Sequence, residues 1–445
     1  MPRIHGHHGI FIGLLVLVLF IWSKKRRQHL KKSLSTRRPP VILIPGLGGS
    51  RLYSSDGTQK WCSWHGFFPH VTNSWRDELA VKYNPETQCF EEASAITPYR
   101  TPHWVNEQFR PTADFGGVEG VGNVLSPFTK SSWQFQGLLN NCVARGYTTW
   151  GARGSDNYSN GCLYGAPFDF RKITSPSVWK EYCRSLKALI EFAGRRDTCV
   201  LLSHSLGSVL LLTFLVLYLP TEVPDPAAWK DRYMKRWVTV NGAFGGAGKA
   251  LRSLLSGDNN GMGYLCDTGC HDWYQPLLEN AAGVLWMLPS PLVFTADTPV
   301  ITVNKSSFSA KEVITLLEQV SPAAAKAYKD TVVPLLTVDP PGVPVVCVTS
   351  TQPGTPLQCV YTDNTFHHLD VKMRDERVYY AGTSPNVTHM CGDGTVPYLS
   401  LMVPQRWLDV PHQAVTFVKL NQENVGHTSI LIEEEPLRII MSLIS

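Results

Sequence analysis

The amino-acid sequence predicts an α/β fold, a mostly parallel sheet with helices on both faces. Three observations carry this. Short apolar runs recur along the 445 residues, stretches of helical apolar spacing alternate with them, and several runs end in glycine turns. The first run, Val41–Ile44, feeds the turn Pro45-Gly-Leu-Gly-Gly49. Trp133–Arg145 has helical spacing, residues 164–171 read as a strand end and turn, and a helix follows over Val178–Ala193. Thr198–Leu202 is the next strand, Ser203–Gly207 a sharp turn and Ser208–Leu219 an apolar helix. Trp237–Asn241 is a further strand that ends in Gly242–Gly246. Residues 247–340 interrupt the alternation with glycine- and proline-rich loops and helices such as Ala310–Val320, which reads as an inserted cap. Strands resume at Val343–Val348 and Val415–Leu420, and a helix near Ser429–Ile444 closes the fold.

Composition bounds the answer further. A hydrophobic fraction of 43% with 17% charged residues supports a large buried core. The net charge of +5 is local, because residues 1–38 hold nine Lys/Arg and no Asp or Glu, leaving −4 for residues 39–445. A mildly acidic body argues against a nucleic-acid-binding surface. The basic cluster follows an apolar run, Ile10–Trp22. Thirteen helical residues span roughly 20 Å, short of the ~30 Å hydrocarbon core. The flanks favour a signal-anchor over a cleaved signal peptide, since Lys24–Arg27 occupies the place of a small-residue cleavage site.

The chain therefore divides into a signal-anchor or signal segment with a basic linker (1–38) and one body (39–445). The positive-inside rule alone would place that body in the cytosol. Eleven cysteines and three sequons, at Asn157, Asn304 and Asn386, point to the secretory pathway instead. The expected location is a membrane-anchored lumenal or extracellular body, or a secreted or lysosomal one after cleavage. Cys62 and Cys89 bracket most of an aromatic segment with Trp61, Trp64 and Trp75 inside an irregular stretch, 53–95. Such aromatic residues suit either a lipid interface or a small satellite core.

The chemistry concentrates at Ser203-His-Ser205-Leu-Gly207, set between an apolar strand and an apolar helix. This is the context of a nucleophile elbow, which makes the expected architecture an α/β-hydrolase fold. Ser203 departs from the usual glycine two residues before the nucleophile, and is small enough to be tolerated. A serine hydroxyl needs a base, and the base an orienting carboxylate, in the chain order Ser, acid, His. Asp393, in a glycine turn, and His427, after the last strand, meet that order, making Ser205, Asp393 and His427 the candidate triad. The amides of Leu206 and Leu47 are the candidate oxyanion donors. His204 is expected to serve packing, and Asp169 with Arg171 a structural ion pair. The glycine-rich stretch 116–122 follows no clear strand and is not read as a nucleotide loop. No metal or cofactor is expected.

Several motifs recur in one order: Trp61-Cys62, Trp75, Cys89, Ala166–Arg171, His204–Gly207, Gly242–Gly246, Ser256–Gly261, Pro341–Cys347, Gly392–Val396 and Gly426-His427. Together they resemble the lecithin:cholesterol acyltransferase and lysosomal phospholipase A2 family over roughly residues 40–440. The resemblance implies a membrane-binding subdomain (53–95) closed by a Cys62–Cys89 disulfide, with Trp75 touching lipid, and a cap with a mobile lid over 247–340. It also implies a disulfide from Cys347, for which Cys359 and Cys391 are the nearby candidates. The implied activity takes an acyl chain from a phospholipid donor to a lipid alcohol or water, at a membrane or lipoprotein surface. A neutral-lipid lipase or esterase, or a catalytically silent lipid-binding relative, are the alternatives.

Overall fold

The computed structural model describes residues 38–54, 59–61, 79–92, 99–100, 115–122, 134–150, 161–256, 280–304, 306–352, 355–361, 392–420 and 425–445. Its centre is a seven-stranded sheet. In chain order the strands are β1 (Val41–Ile44), β2 (Thr148–Thr149), β3 (Cys162–Gly165), β4 (Cys199–His204), β5 (Met234–Val240), β6 (Val345–Ser350) and β7 (Val415–Leu420). They lie in the order β7-β6-β5-β4-β1-β3-β2, and every pairing is parallel. Parallel strands need crossovers, and these carry helices to both faces.

Both faces of β1 are therefore buried. Ile42 and Ile44 join one apolar cluster, and Val41 and Leu43 join the other. The first cluster is covered by the helix Pro176–Ala193 through Trp179, Leu186 and Ile190. The second is covered by Gln136–Ala144 and by the last helix, Glu434–Ile444. The helix after β4 begins at Leu206, and its middle widens into a π turn over Phe214–Tyr218. Pro220 stands two residues past it; its missing N–H deprives the preceding turn of a donor.

The segment expected to be irregular contains ordered strands. Leu52–Ser54 pairs with Gln59–Trp61 and Tyr99–Arg100, and Val81–Asn84 pairs with Cys89–Glu92 as a hairpin. These strands are at most four residues long, too short for an alternating pattern to register. The hairpin is fixed to the body by charge. Arg171, fully buried, donates to Asp169 Oδ2 at 2.7 Å and to Glu92 Oε2 at 3.2 Å, and also reaches the Leu79 carbonyl. Lys172 pairs with Glu92 as well. Beyond residue 247, the strands Pro299–Val303 and Ser306–Ser309 form a small sheet with Cys359–Tyr361. The region after residue 247 thus recruits a strand from after β6.

All seven described cysteines are free thiols, which corrects the expected disulfides. Cys89 Sγ lies 3.5 Å from the Ser177 hydroxyl, and Cys62 lies outside the described residues. Cys347 is buried in the central sheet between Thr239 and Phe417, whereas Cys359 belongs to the small sheet and its thiol faces the Gly248 carbonyl. Cys391 lies outside the described residues. Among the described residues no helix is long and apolar enough to cross a membrane; the run Ile10–Trp22 falls outside them.

Candidate active site

Three loops leave the C-terminal ends of β1, β4 and β7 and converge. The turn after β4 is tighter than the sequence suggests. The strand runs to His204, the helix starts at Leu206, and Ser205 alone turns the corner with φ 53° and ψ −126°. A non-glycine residue held in that conformation is strained, and its neighbours must be small. A Cβ on Gly207 would run into the carbonyls of Pro45 and Ile44, and one on Gly46 would reach 2.8 Å from Ser205 Cβ. The glycines let β1 and β4 close on each other.

Ser203 has its own explanation. The Trp237 indole N–H donates to Ser203 Oγ at 2.7 Å. Ser203 and Ser208 hydroxyls are hydrogen-bonded at 2.8 Å, and Ser208 continues to Thr239 at 2.8 Å. The hydroxyl that departs from the glycine pattern is the acceptor for a buried tryptophan.

Ser205, Asp393 and His427 come together. The Ser205 hydroxyl donates to His427 Nε2 at 2.9 Å, and His427 Nδ1–H donates to Asp393 Oδ2 at 2.6 Å. Asp393 is fully buried, and its Oδ1 accepts from the amides of Thr395 (2.9 Å) and Val396 (2.7 Å). The turn that contains Asp393 thus holds its carboxylate in one orientation. Leu206 provides the first amide of its helix, which has no intrahelical acceptor. Among the described residues, neither that amide nor the Leu47 amide has a backbone partner. The Leu47 side chain packs against Gly283 of the helix Ala282–Trp286, and it offers the site no polar group besides its backbone.

His204 does more than pack. Its Nε2–H donates to the backbone carbonyl of His427 at 2.9 Å, and the two rings lie 4.8 Å apart. Burial, with the neighbouring His427 adding to it, pushes the His204 pKa down to about 3, so this ring is neutral. Asn241, at the end of β5 with φ 45°, donates to the same carbonyl at 3.3 Å and to Ser350 Oγ at 3.0 Å. The sequence reading missed Asn241; a polar residue closing an apolar strand was the available signal.

A cleft of about 400 Å³ opens above Ser205, walled by Leu47, Trp61, Phe170, Val284 and Met287 among others. Trp61, read from the sequence as suiting either a lipid interface or a small satellite core, packs inward. It is buried, its ring lies 5.0 Å from that of Phe170 at a tilt of 57°, and it donates its indole N–H to the Gly48 carbonyl at 2.7 Å. Its place is the wall of the cleft and the brace of the Pro45–Gly49 turn. Trp64 and Trp75 lie outside the described residues.

A parallel sheet with this strand order, a strained serine after its fourth strand and loops converging at its C-terminal edge define an α/β-hydrolase fold. The chain belongs to the lecithin:cholesterol acyltransferase family, whose model matches residues 58–321. It is 26% identical over 424 residues to lecithin-cholesterol acyltransferase-like 1 of Oryza sativa subsp. japonica, covering 91% of this chain and 87% of that one. It is 24% identical over 395 residues to the lysosomal phospholipase A and acyltransferase of Canis lupus familiaris, covering 84% of each. With the phosphatidylcholine-sterol acyltransferase of Mus musculus it shares 26% over 300 residues, 63% of this chain and 60% of that one. Family and relatives support an acyltransferase or phospholipase activity.

Proposed function

We propose that the protein removes an acyl chain from a glycerophospholipid through an acyl-enzyme on Ser205 and passes it to an alcohol or to water. The hydrogen-bonded chain Ser205–His427–Asp393 at the foot of an apolar cleft carries this reading. His427 takes the Ser205 proton as the hydroxyl attacks the ester carbonyl, and Asp393 holds the ring tautomer and stabilises the imidazolium. The amides of Leu47 and Leu206 receive the oxyanion. His427 returns the proton to the departing lysolipid alcohol. It then deprotonates the acceptor, which attacks the acyl-serine and regenerates the enzyme. Transfer competes with water at ~55 M, so the walls of the cleft must exclude solvent while the acceptor is held.

The surrounding parts follow from this reading. Residues 247–340 form a cap over the cleft, supported by Val284 and Met287 in its wall. Residues 53–95 bring the chain to a lipid surface, and the body resides in the secretory pathway, in keeping with the lysosomal relative.

A fluorophosphonate probe tests the nucleophile: it labels the protein, and Ser205→Ala abolishes labelling. Phosphatidylcholine with labelled acyl chains, with and without an added lipid alcohol, then separates transfer from hydrolysis. Triacylglycerol turnover without phospholipid turnover would instead establish a neutral lipase, and absent Ser205 labelling would sink the enzymatic reading.

A further inference from the structure

One polar side chain in the cleft is used by none of the steps above. Gln134 is 8% exposed and sits in left-handed backbone at φ 61°. Such a conformation strains a non-glycine residue and persists where the surroundings over-determine it. Its carboxamide lies over Gly49, where a Cβ would come within 2.6 Å of Gln134 Cδ and Oε1. The glycine at the end of the Pro45–Gly49 turn therefore admits the amide to the cleft that Ser205 and His427 share. Among the described residues, Gln134 Oε1 has no hydrogen-bond donor. A buried acceptor left without a donor is destabilising, and a bound ligand with a suitable donor recovers that loss.

The missing partner is an O–H or N–H. In acyl transfer the reacting hydroxyl has a single proton, and that proton goes to His427 Nε2. The O–H that reaches Gln134 is then a second hydroxyl on the bound lipid, not the one being acylated. We propose that Gln134 is a specificity-determining residue whose Oε1 accepts a hydrogen bond from a lipid hydroxyl other than the one being acylated. The ligand class is a lipid with a glycerol-like pair of hydroxyls, or one with a hydroxylated headgroup, in preference to an alcohol with one hydroxyl. This rests on the acyl-enzyme reading.

Two arms distinguish the sources of that hydroxyl. In the first, full-length protein on phosphatidylcholine vesicles receives dodecanol or 1,2-dodecanediol as acceptor. In the second, hydrolysis of phosphatidylglycerol is compared with that of phosphatidylcholine. The expected result is a preference of up to about tenfold for the hydroxylated partner in one arm. Gln134→Met removes that preference, and Gln134→Glu, which keeps an acceptor oxygen in either protonation state, retains it. A preference in the first arm assigns the hydroxyl to the acceptor, and one in the second to the donor headgroup. No preference in either arm, or one that Gln134→Met leaves intact, overturns the assignment. Fluorophosphonate labelling of the wild type runs beside both arms. Labelling without preference defeats the Gln134 assignment alone, whereas no labelling defeats the acyl-enzyme reading and this assignment with it.

Discussion

The Ser205 edge of the sheet and the Val81–Glu92 hairpin pack against the same core, yet they are held by different means. At the edge, position comes from backbone. One strained residue, glycines that let strands approach, and amides that grip Asp393 set the side chains. At the hairpin, position comes from side chains: buried Arg171 with Lys172 on Glu92, Tyr83 donating to Asp330, and the Phe90 amide donating to Ser175. Arg171 ties Asp169 on the body to Glu92 on the second hairpin strand, across 79 residues of sequence. The first arrangement tolerates little variation in residue size. The second has no geometric template and depends on every partner being present.

The widest way to break the contrast is at the edge. Asp393→Asn keeps the shape of the side chain but replaces an acceptor with a group that can donate to His427 Nδ1, favouring the wrong tautomer. Acyl transfer or hydrolysis is expected to fall by about 10⁴ in kcat, with the melting temperature nearly unchanged. Steady-state kinetics with thermal unfolding checks both halves. A loss of fold with retained specific activity would contradict the role given to Asp393.

The hairpin should respond the other way. Arg171→Met leaves Asp169 without its cation and Glu92 with Lys172 alone, and removing one member of a buried pair costs about 3–5 kcal/mol. Denaturant unfolding is expected to show that loss, with Ser205 labelling preserved in whatever fraction stays folded. Unchanged stability would mean that the charges are solvated in a way the buried contacts do not show.

This contrast also explains what the sequence could reveal. The elbow is local: strand, Ser205, Gly207 and helix lie within some twenty residues, Asp393 stands in a glycine turn and His427 follows the last strand, so the chain order can be read. β7 is found at Val415–Leu420, as read from the sequence. The short hairpins were not legible, because strands of two to four residues carry no period and their register is set by partners such as Arg171. Trp61 stayed open between a lipid interface and a satellite core for a related reason: the Gly48 carbonyl and Phe170 that fix it lie elsewhere in the chain. The contact from His204 to His427 spans 223 residues, and no spacing rule reaches that far.

His204 offers a smaller effect that sharpens the comparison, because here the edge contains a titratable group. Its pKa is about 3 in the folded chain, against an ordinary value near 6.5. A depressed value means that the unfolded chain takes up the proton first. The stabilising contribution is complete above about pH 6.5 and is lost as pH falls toward 3, amounting to about 2 kcal/mol by pH 5. His204→Gln keeps an amide donor for the His427 carbonyl and does not titrate. Its stability should therefore fall less steeply between pH 6.5 and 5 than that of the wild type. Parallel slopes in pH-resolved unfolding would mean that His204 is already protonated in the folded protein.

The smallest expected effect concerns Ser203, and its sign runs against the motif. Ser203→Gly restores the glycine that nucleophile elbows usually carry, so pattern alone predicts a gain or no change. The contacts predict a loss. The buried Trp237 indole would be left without its acceptor, and the Ser208–Thr239 hydroxyl chain would end one link early. Deleting one such buried partner costs about 1–2 kcal/mol. Because Ser205 is held by backbone and by Gly46 and Gly207, kcat should change little while the unfolding midpoint drops. Trp237→Phe removes the donor as well as the need for an acceptor, so Ser203→Gly made on that background should cost less than on the wild type. A double-mutant cycle measures the difference as a coupling energy. A coupling near zero would show that Ser203 fills space at the strand end and that its hydroxyl contributes nothing to the elbow.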